Sequence, residues 1–148
     1  MAEKIYAIGL GGAKPKKHYS PECYAELIKM LLRAEPELKF VVLGGSNESA
    51  EAAIVMSNVD ADCIIDLTGK TTFRETTAVL SCCSMYIGND TGTMHIAAAA
   101  HIPVIVLYRD AIDKENFLTG ILNEIKRFPP WQTKAIILRP AHPLGECA

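Results

Sequence analysis

Short apolar runs alternate with segments of helical spacing along most of this 148-residue chain. The first run, residues 4–9, ends in a glycine loop, as expected of a buried strand. Similar runs predict strands at residues 39–43, 63–67, 85–88 and 104–108, with a weaker one at 136–138. Strands that alternate with helices across short loops predict a Rossmann-like α/β fold, in which a parallel sheet carries helices on both faces.

The helical segments have recognisable start signals. From Pro21 onward, apolar residues recur every three or four positions to about residue 35, and Ser20 and Pro21 suit a helix start. Further helices are predicted at residues 47–57, 72–81 and 95–100, whereas residues 109–134 have no clear pattern. Sheets of this class bind ligands at the carboxyl ends of their strands, so functional residues are expected there.

Composition excludes several classes of protein. Apolar residues make up 49% of the chain, which suits one globular domain, and the net charge of −2 argues against nucleic-acid binding. The five cysteines include no CxxC pair, and the adjacent Cys82 and Cys83 end an apolar run. We therefore expect reduced thiols, with this pair packed in the core. No segment approaches the roughly 20 apolar residues of a membrane span, which predicts a cytoplasmic protein.

Residues 85–100 carry the strongest local signal: an apolar run, the polar turn NDTGT, and then almost only small residues. Glycine lets a backbone approach a ligand, and hydroxyls and free amides at a helix start can donate to phosphate oxygens. This pattern predicts an anion site, with the following candidate residues: Asp90, Thr91, Gly92, Thr93 and His95. Alternatively, Asp90 or Thr91 only caps a helix and His95 is an ordinary polar residue.

Other polar groups fit structural roles better. Asp60 and Asp62 have the spacing of a metal-binding pair, but they lie between a predicted helix and strand and are interpreted as a solvated turn. The loop GLGGAK lacks the third glycine of a dinucleotide-binding fingerprint, and Lys14 and Lys16 are interpreted as a solvated basic edge. No metal and no cofactor is predicted.

Four segments together resemble a known family. NDTGTMHIAAA is similar to the D-T-G-x-x-H-x-x-A-A signature of the lipopolysaccharide heptosyltransferases, glycosyltransferases of the GT-B fold. GGAKPKKHYSPECYAELI resembles their opening loop and helix, with Lys17 on the family's lysine and residues 18–20 departing from the usual Arg-Trp-Pro. VVLGGSNE and DLTGKTTFRETTAVLS also resemble family segments, so the resemblance covers residues 4–108.

This resemblance implies that residues 1–148 are the nucleotide-sugar-binding domain, the C-terminal half of a GT-B enzyme without its N-terminal acceptor domain. It implies ADP-heptose or a related donor, a lipopolysaccharide-core or other glycan acceptor, and an enzyme at the inner face of the membrane. Asp90, Thr91, Gly92 and His95 would surround the diphosphate, and Lys17 would pair with it. Glu48 would accept hydrogen bonds from the ribose, and Lys70 and Thr71 would lie nearest the adenine.

The resemblance implies no catalytic residue in this chain, because the base would come from the missing half. Asp110, Asp113 and Glu115 could be imagined as a substitute base but are interpreted as a charged surface loop. Two alternatives stay open: a non-catalytic nucleotide-binding regulatory module, and a small hydrolase using Asp90 and His95. The sequence contains no GxSxG nucleophile motif, which argues against the hydrolase.

Overall fold

The structure, a computed structural model, describes residues 4–12, 19–108, 130 and 133–139. Within these residues, six strands form one sheet: β1 Ile5–Gly9, β2 Lys39–Leu43, β3 Ile64–Asp66, β4 Met85–Asn89, β5 Val104–Leu107 and β6 Ala135–Leu138. Four α-helices accompany them: α1 Pro21–Ala34, α2 Ser49–Asn58, α3 Phe73–Ser81 and α4 Gly92–Ala99. Every run predicted to be a strand is one, including the weak run near the end.

The sheet has the order β3-β2-β1-β4-β5-β6, and all of its strand pairs are parallel. This order confirms the predicted Rossmann-like fold. The chain builds outward from β1 to β3 and then returns to the other side of β1 with β4. Tyr6 of β1 therefore pairs with Phe40 of β2 on one side and with Met85 of β4 on the other.

Alternate residues of the central strands point to opposite faces and form two cores. On one face Ile8, Val42 and Ile87 pack with residues of α1 and α2 such as Tyr24 and Val55. On the other face Ala7, Val41, Leu43 and Tyr86 pack with residues of α3 and α4: Leu80, Met94 and Ala97. The burial of both faces explains why the strands are almost continuously apolar in sequence.

Side-chain caps set the starts of the helices. The Ser20 hydroxyl accepts from the Cys23 amide at 3.3 Å, and Pro21 follows as the first helical residue, as predicted. Thr72 caps α3 in a reciprocal arrangement with Glu75, whose carboxylate accepts from the Thr72 amide at 2.7 Å. Each cap satisfies an amide that the helix itself cannot.

Three sequence predictions need correction. Helix α4 begins at Gly92 and not near residue 95. The side chain of Thr91 caps the helix by accepting from the Met94 amide, so residues 92–94 form its first turn. The helix predicted at 47–57 is divided into a 3-10 turn, Ser46–Glu48, followed by α2. Cys83 is buried in the core as expected, but Cys82 is exposed because it lies at the C-terminal cap of α3.

The interpretation of residues 60 and 62 as a solvated turn is confirmed. Both residues are exposed, and the Asp60 carboxylate accepts from the Asp62 amide at 3.1 Å. Among the described helices, none has the length and apolar character needed to cross a membrane. The positions of Lys14, Lys16, Asp110, Asp113, Glu115 and Cys147 lie outside the described residues.

Candidate functional site

Strands β1 and β4 are neighbours in the sheet, but their following helices lie on opposite faces. The chain leaves β1 towards α1, whose Tyr24 and Ile28 belong to one core, and leaves β4 towards α4, whose Met94 and Ala97 belong to the other. A crevice opens at the carboxyl ends of two such strands. The sheet order therefore places the main ligand-binding position of this fold between the turns after β1 and β4.

A cavity of about 460 Å³ occupies this position. It is lined by the turns after β1, β2 and β4: Leu10, Gly12, Gly44, Gly45, Glu48, Asp90, Thr91, Gly92, Thr93 and His95. Six of the eight predicted site residues are therefore together at one cavity. Of the other two, Thr71 is not part of the lining, and Lys17 lies outside the described residues.

The start of α4 forms one wall of the cavity. Thr91 has an extended backbone, and its hydroxyl accepts from the Met94 amide at 3.4 Å. No hydrogen bond within the helix can reach the amides of Gly92 and Thr93, since they precede its first turn of bonding. A Cβ atom added to Gly92 would meet nothing within 4 Å, so this backbone is open to an approaching ligand.

The side chains of His95 and Asp90 meet at this helix start. The His95 Nε2 atom lies 3.8 Å from Asp90 Oδ1, and the two side chains are 43% and 40% exposed. A contact this exposed contributes little to stability. Both side chains line the cavity, where they can meet a ligand.

The opposite wall is built around Glu48, at the end of the 3-10 turn after β2. Its carboxyl group lies over Gly11, where an added Cβ atom would come within 2.6 Å of Glu48 Cδ. Gly11 also has a φ of +84°, a conformation that favours glycine. The absence of a side chain at Gly11 thus lets the Glu48 carboxyl group cross the loop backbone and reach the cavity.

Thr71 does not line the cavity and is held by a contact with α3. Its hydroxyl shares a 2.9 Å hydrogen bond with that of Thr76 in α3. The preceding Gly69 donates its amide to the Gly44 carbonyl and packs against Ser46, which places it beside the turn that lines the cavity. Lys70 turns back to Asp66, with its Nζ atom 2.8 Å from the backbone oxygen. Lys70 and Thr71 do not line the cavity, and their nearness to a bound base stays a prediction.

Two buried polar side chains beneath the cavity were missed in the sequence. Asn89, the last residue of β4, is only 3% exposed and bridges to the loop after β1. The hydroxyl of the fully buried Tyr86 lies 3.4 Å from Thr91 Oγ1, and burial raises the pKa of this phenol well above its usual range. In the sequence, the only indication of a special role is that Tyr86 and Asn89 are polar residues in an otherwise apolar strand.

No group of three histidine, cysteine, aspartate or glutamate side chains suited to a metal ion occurs among residues 4–12, 19–108 and 133–139. The donors that the cavity does offer are backbone amides, hydroxyls and one imidazole, and its acceptors are two carboxylates. Donors at a helix start suit phosphate oxygens, and a carboxylate over a glycine loop suits sugar hydroxyls.

Known proteins with similar sequences share one enzymatic family. The chain is 36% identical over 103 residues to lipopolysaccharide heptosyltransferase 2 of Salmonella typhimurium, a match that covers 66% of this chain and 28% of the relative. It is 33% identical over 133 residues to lipooligosaccharide heptosyltransferase 2 of Haemophilus influenzae, covering 87% of this chain and 33% of that protein. The chain thus spans about a third of the length of these relatives.

Solved structures show the same fold. The Escherichia coli ADP-heptose lipopolysaccharide heptosyltransferase II superposes with a TM-score of 0.74 at 20% identity, over 93% of this chain and 38% of that one. A family 9 glycosyltransferase from Veillonella parvula gives 0.74 at 23% identity, over 93% and 35%. The family model for glycosyltransferase family 9 (heptosyltransferase) matches residues 1–143. This chain therefore belongs to glycosyltransferase family 9, the heptosyltransferase family.

Proposed function

We propose that this chain is the donor-binding domain of an enzyme that transfers heptose or a related sugar from a nucleotide diphosphate, with ADP-heptose as the expected donor. The acceptor is the lipopolysaccharide core or another glycan. Family membership and the names of the relatives support the reaction class, and the cavity at the ends of β1, β2 and β4 supports the place of binding.

The observation that carries the proposal is the start of α4 at the cavity. The amides of Gly92 and Thr93 and the side chains of Thr91, Thr93 and His95 can donate to diphosphate oxygens there. The helix dipole adds about 0.3–1 kcal/mol, whereas each hydrogen bond to a charged oxygen contributes roughly 1.5–3 kcal/mol. Directional donors, more than the dipole, would therefore hold the diphosphate.

The opposite wall supplies complementary chemistry. Glu48 can accept hydrogen bonds from ribose hydroxyls because an ionised carboxylate has only acceptors. Lys17 would pair with the diphosphate from the loop after β1, as the family resemblance implies. Thr71 stays an expected neighbour of the base, and its hydroxyl shares a hydrogen bond with that of Thr76.

Sugar transfer builds negative charge on the departing diphosphate, and groups that bind this charge more strongly in the transition state accelerate the reaction. In this proposal His95, Lys17 and the α4 amides have that role. Asp90 would orient His95 through their 3.8 Å contact. The base that deprotonates the acceptor hydroxyl would come from a preceding domain, because a GT-B cleft is formed by two lobes.

The whole enzyme would work in the cytoplasm, where nucleotide sugars are made, with peripheral association to the inner face of the membrane that carries its acceptor. A non-catalytic regulatory module would use the same cavity but would need no acceptor domain. The relatives, all named as heptosyltransferases, favour the enzyme.

Calorimetric titration of the 148-residue chain with ADP, UDP, GDP and CDP tests the binding site and the choice of base. We expect ADP to bind most tightly. His95→Ala and Gly92→Ala should each weaken ADP about 10- to 100-fold, the loss expected when one hydrogen bond to a charged oxygen is removed or blocked. Because an added methyl at Gly92 meets no protein atom, that variant should keep its stability.

His101→Asn is the matched control, since His101 is an exposed histidine away from this cavity, with a φ of 58° that asparagine tolerates. Its affinity for ADP should equal that of the parent. If the His95 and Gly92 variants bind ADP as tightly as this control, the start of α4 is not the diphosphate site. Product formation from ADP-heptose and a lipopolysaccharide-core acceptor should require a chain extended at its N-terminus. Turnover by the 148-residue chain itself would refute the proposal that the base lies in a preceding domain.

A further inference from the structure

Asn89 connects two parts of the chain that are far apart in sequence. Its Nδ2 atom donates to the Gly11 carbonyl at 3.0 Å, and its Oδ1 atom accepts from the Tyr19 amide at 3.1 Å. Gly11 and Tyr19 are the two ends of the loop between β1 and α1, and they precede Asn89 by 78 and 70 residues. One side-chain amide thus holds both ends of that loop.

Only a side chain with a donor and an acceptor on one short planar group can make this bridge. Aspartate would keep the acceptor for Tyr19 but would place a carboxylate oxygen against the Gly11 carbonyl, and alanine would satisfy neither. Asn89 is 3% exposed, so solvent cannot readily replace either bond. The bridge is therefore a specific feature of asparagine at the end of β4.

The groups tied together belong to opposite sides of the cavity. On the loop side, Gly11 lies beneath Glu48 and Gly12 lines the cavity. The Tyr19 ring packs edge-on against Tyr24 with the centroids 5.0 Å apart, which holds the far end of the loop on α1. On the other side, the next two residues after Asn89, Asp90 and Thr91, form the turn that leads into α4.

We infer that Asn89 is a positioning residue: it fixes the backbone at Gly11 and Tyr19 relative to the start of α4, so that Glu48, which lies over Gly11, and the donors of α4 act on one nucleotide. This inference rests on the proposed function for the identity of the ligand. Asn89 itself need not contact the donor, because it acts through the backbone of Gly11 and Tyr19. Its loss should therefore weaken the contribution of Glu48 as well as overall affinity.

A double-mutant cycle tests this coupling. ADP affinity is measured by calorimetry for the parent chain, Asn89→Ala, Glu48→Ala and the double variant. We expect Asn89→Ala to weaken ADP on the order of tenfold, and Glu48→Ala to have several times less effect in the Asn89→Ala background than in the parent. Equal effects of Glu48→Ala in the two backgrounds, or unchanged affinity of Asn89→Ala, would overturn the inference.

Val55→Ala controls for a general loss of stability, because Val55 is a buried residue of α2 in the core and does not line the cavity. It should retain the affinity of the parent and the full effect of Glu48→Ala. Asn89→Asp, which keeps the shape of the side chain, serves if the alanine variant does not fold, and should show the same reduced coupling.

Hydrogen exchange followed by NMR separates this inference from the proposed function, because it needs no ligand. The Tyr19 amide, which donates to Asn89, should exchange several-fold faster in Asn89→Ala than in Val55→Ala. If the parent binds none of the four nucleotides, the proposed function fails and hydrogen exchange alone decides. Exchange of the Tyr19 amide in Asn89→Ala no faster than in the Val55 control would refute the positioning role in either case.

Discussion

Replacement of Gly9 by alanine should destabilise the domain far more than a single methyl group usually does. A Cβ atom at Gly9 would lie 1.8 Å from the Tyr86 hydroxyl oxygen, 2.4 Å from Cζ and 2.6 Å from Cε2. Non-bonded carbon atoms prefer about 3.5–4.0 Å, so the tyrosine ring would have to retreat by more than about 1 Å. Tyr86 is fully buried in the core that α3 and α4 cover, so its ring can retreat only by displacing neighbouring residues.

The expected cost can be estimated from two effects. Overpacking of a core typically costs about 1–3 kcal/mol, and displacement of the ring would also disrupt the hydrogen bond between Tyr86 and Thr91, worth about 0.5–1.5 kcal/mol. Gly9→Ala should therefore lower the free energy of unfolding by about 3 kcal/mol. Urea unfolding followed by far-UV circular dichroism measures this difference.

Gly92→Ala is the matched control, because the same methyl group there meets no atom within 4 Å and enters the first turn of a helix. Its unfolding free energy should stay within about 0.5 kcal/mol of the parent. A second test places Gly9→Ala in a Tyr86→Leu background, where the end of the ring is gone and the cost should fall to less than half. Equal costs of Gly9→Ala in both backgrounds, or a cost no greater than that of Gly92→Ala, would refute the steric explanation.

Three further measurements test other features. Iodoacetamide at pH 8 should modify the exposed Cys82 and spare Cys83, whose pKa burial raises to about 11, so mass-spectrometric mapping that finds both labelled in the native protein would contradict the described packing. Affinity for ADP should survive excess chelator because amides and basic side chains can neutralise a diphosphate, and binding that is lost with EDTA and restored by magnesium would contradict this. The Thr72 amide and hydroxyl hold the pKa of Glu75 below its usual value, so this capping contribution is present above the unfolded pKa and is lost as pH falls through the folded one. An NMR titration should find the pKa of Glu75 closer to 4.5 in Thr72→Ala, and an unchanged value would contradict the capping interaction.

The sequence predicts the fold class and every strand because apolar runs and helical spacing are local patterns. Local patterns also identify the turn at residues 89–93, where glycine and hydroxyl residues lie next to one another. The predicted start of α4 is too late because Gly92 and Thr93 have low helix propensity, and the cap by Thr91 outweighs that weakness. Helix boundaries of this kind depend on one side-chain contact.

The contribution of Asn89 could not be predicted, because its two partners lie 70 and 78 residues earlier and are backbone groups. A backbone carbonyl or amide has no signature in the sequence. The same limit applies to Tyr86, whose importance depends on the absence of side chains at Gly9 and at Gly88. For Thr71 the sequence suggests a role that the structure does not display. The family resemblance implies a position near the base, and the hydroxyl is hydrogen-bonded to that of Thr76.

The strand order also affects how the chain folds during synthesis. Strand β1 finds β2 about 34 residues later, as Ile5 pairs with Lys39, but its other neighbour is far away, as Tyr6 pairs with Met85. At translation rates of about 5–20 residues per second, the side of β1 that β4 will cover stays open for several seconds after β2 has emerged. Contacts of such long sequence separation also slow folding, because the loop-closure entropy must be overcome first. The central strand of the finished sheet is thus an edge strand in the nascent chain, and this is the stage at which its backbone is most exposed to mispairing.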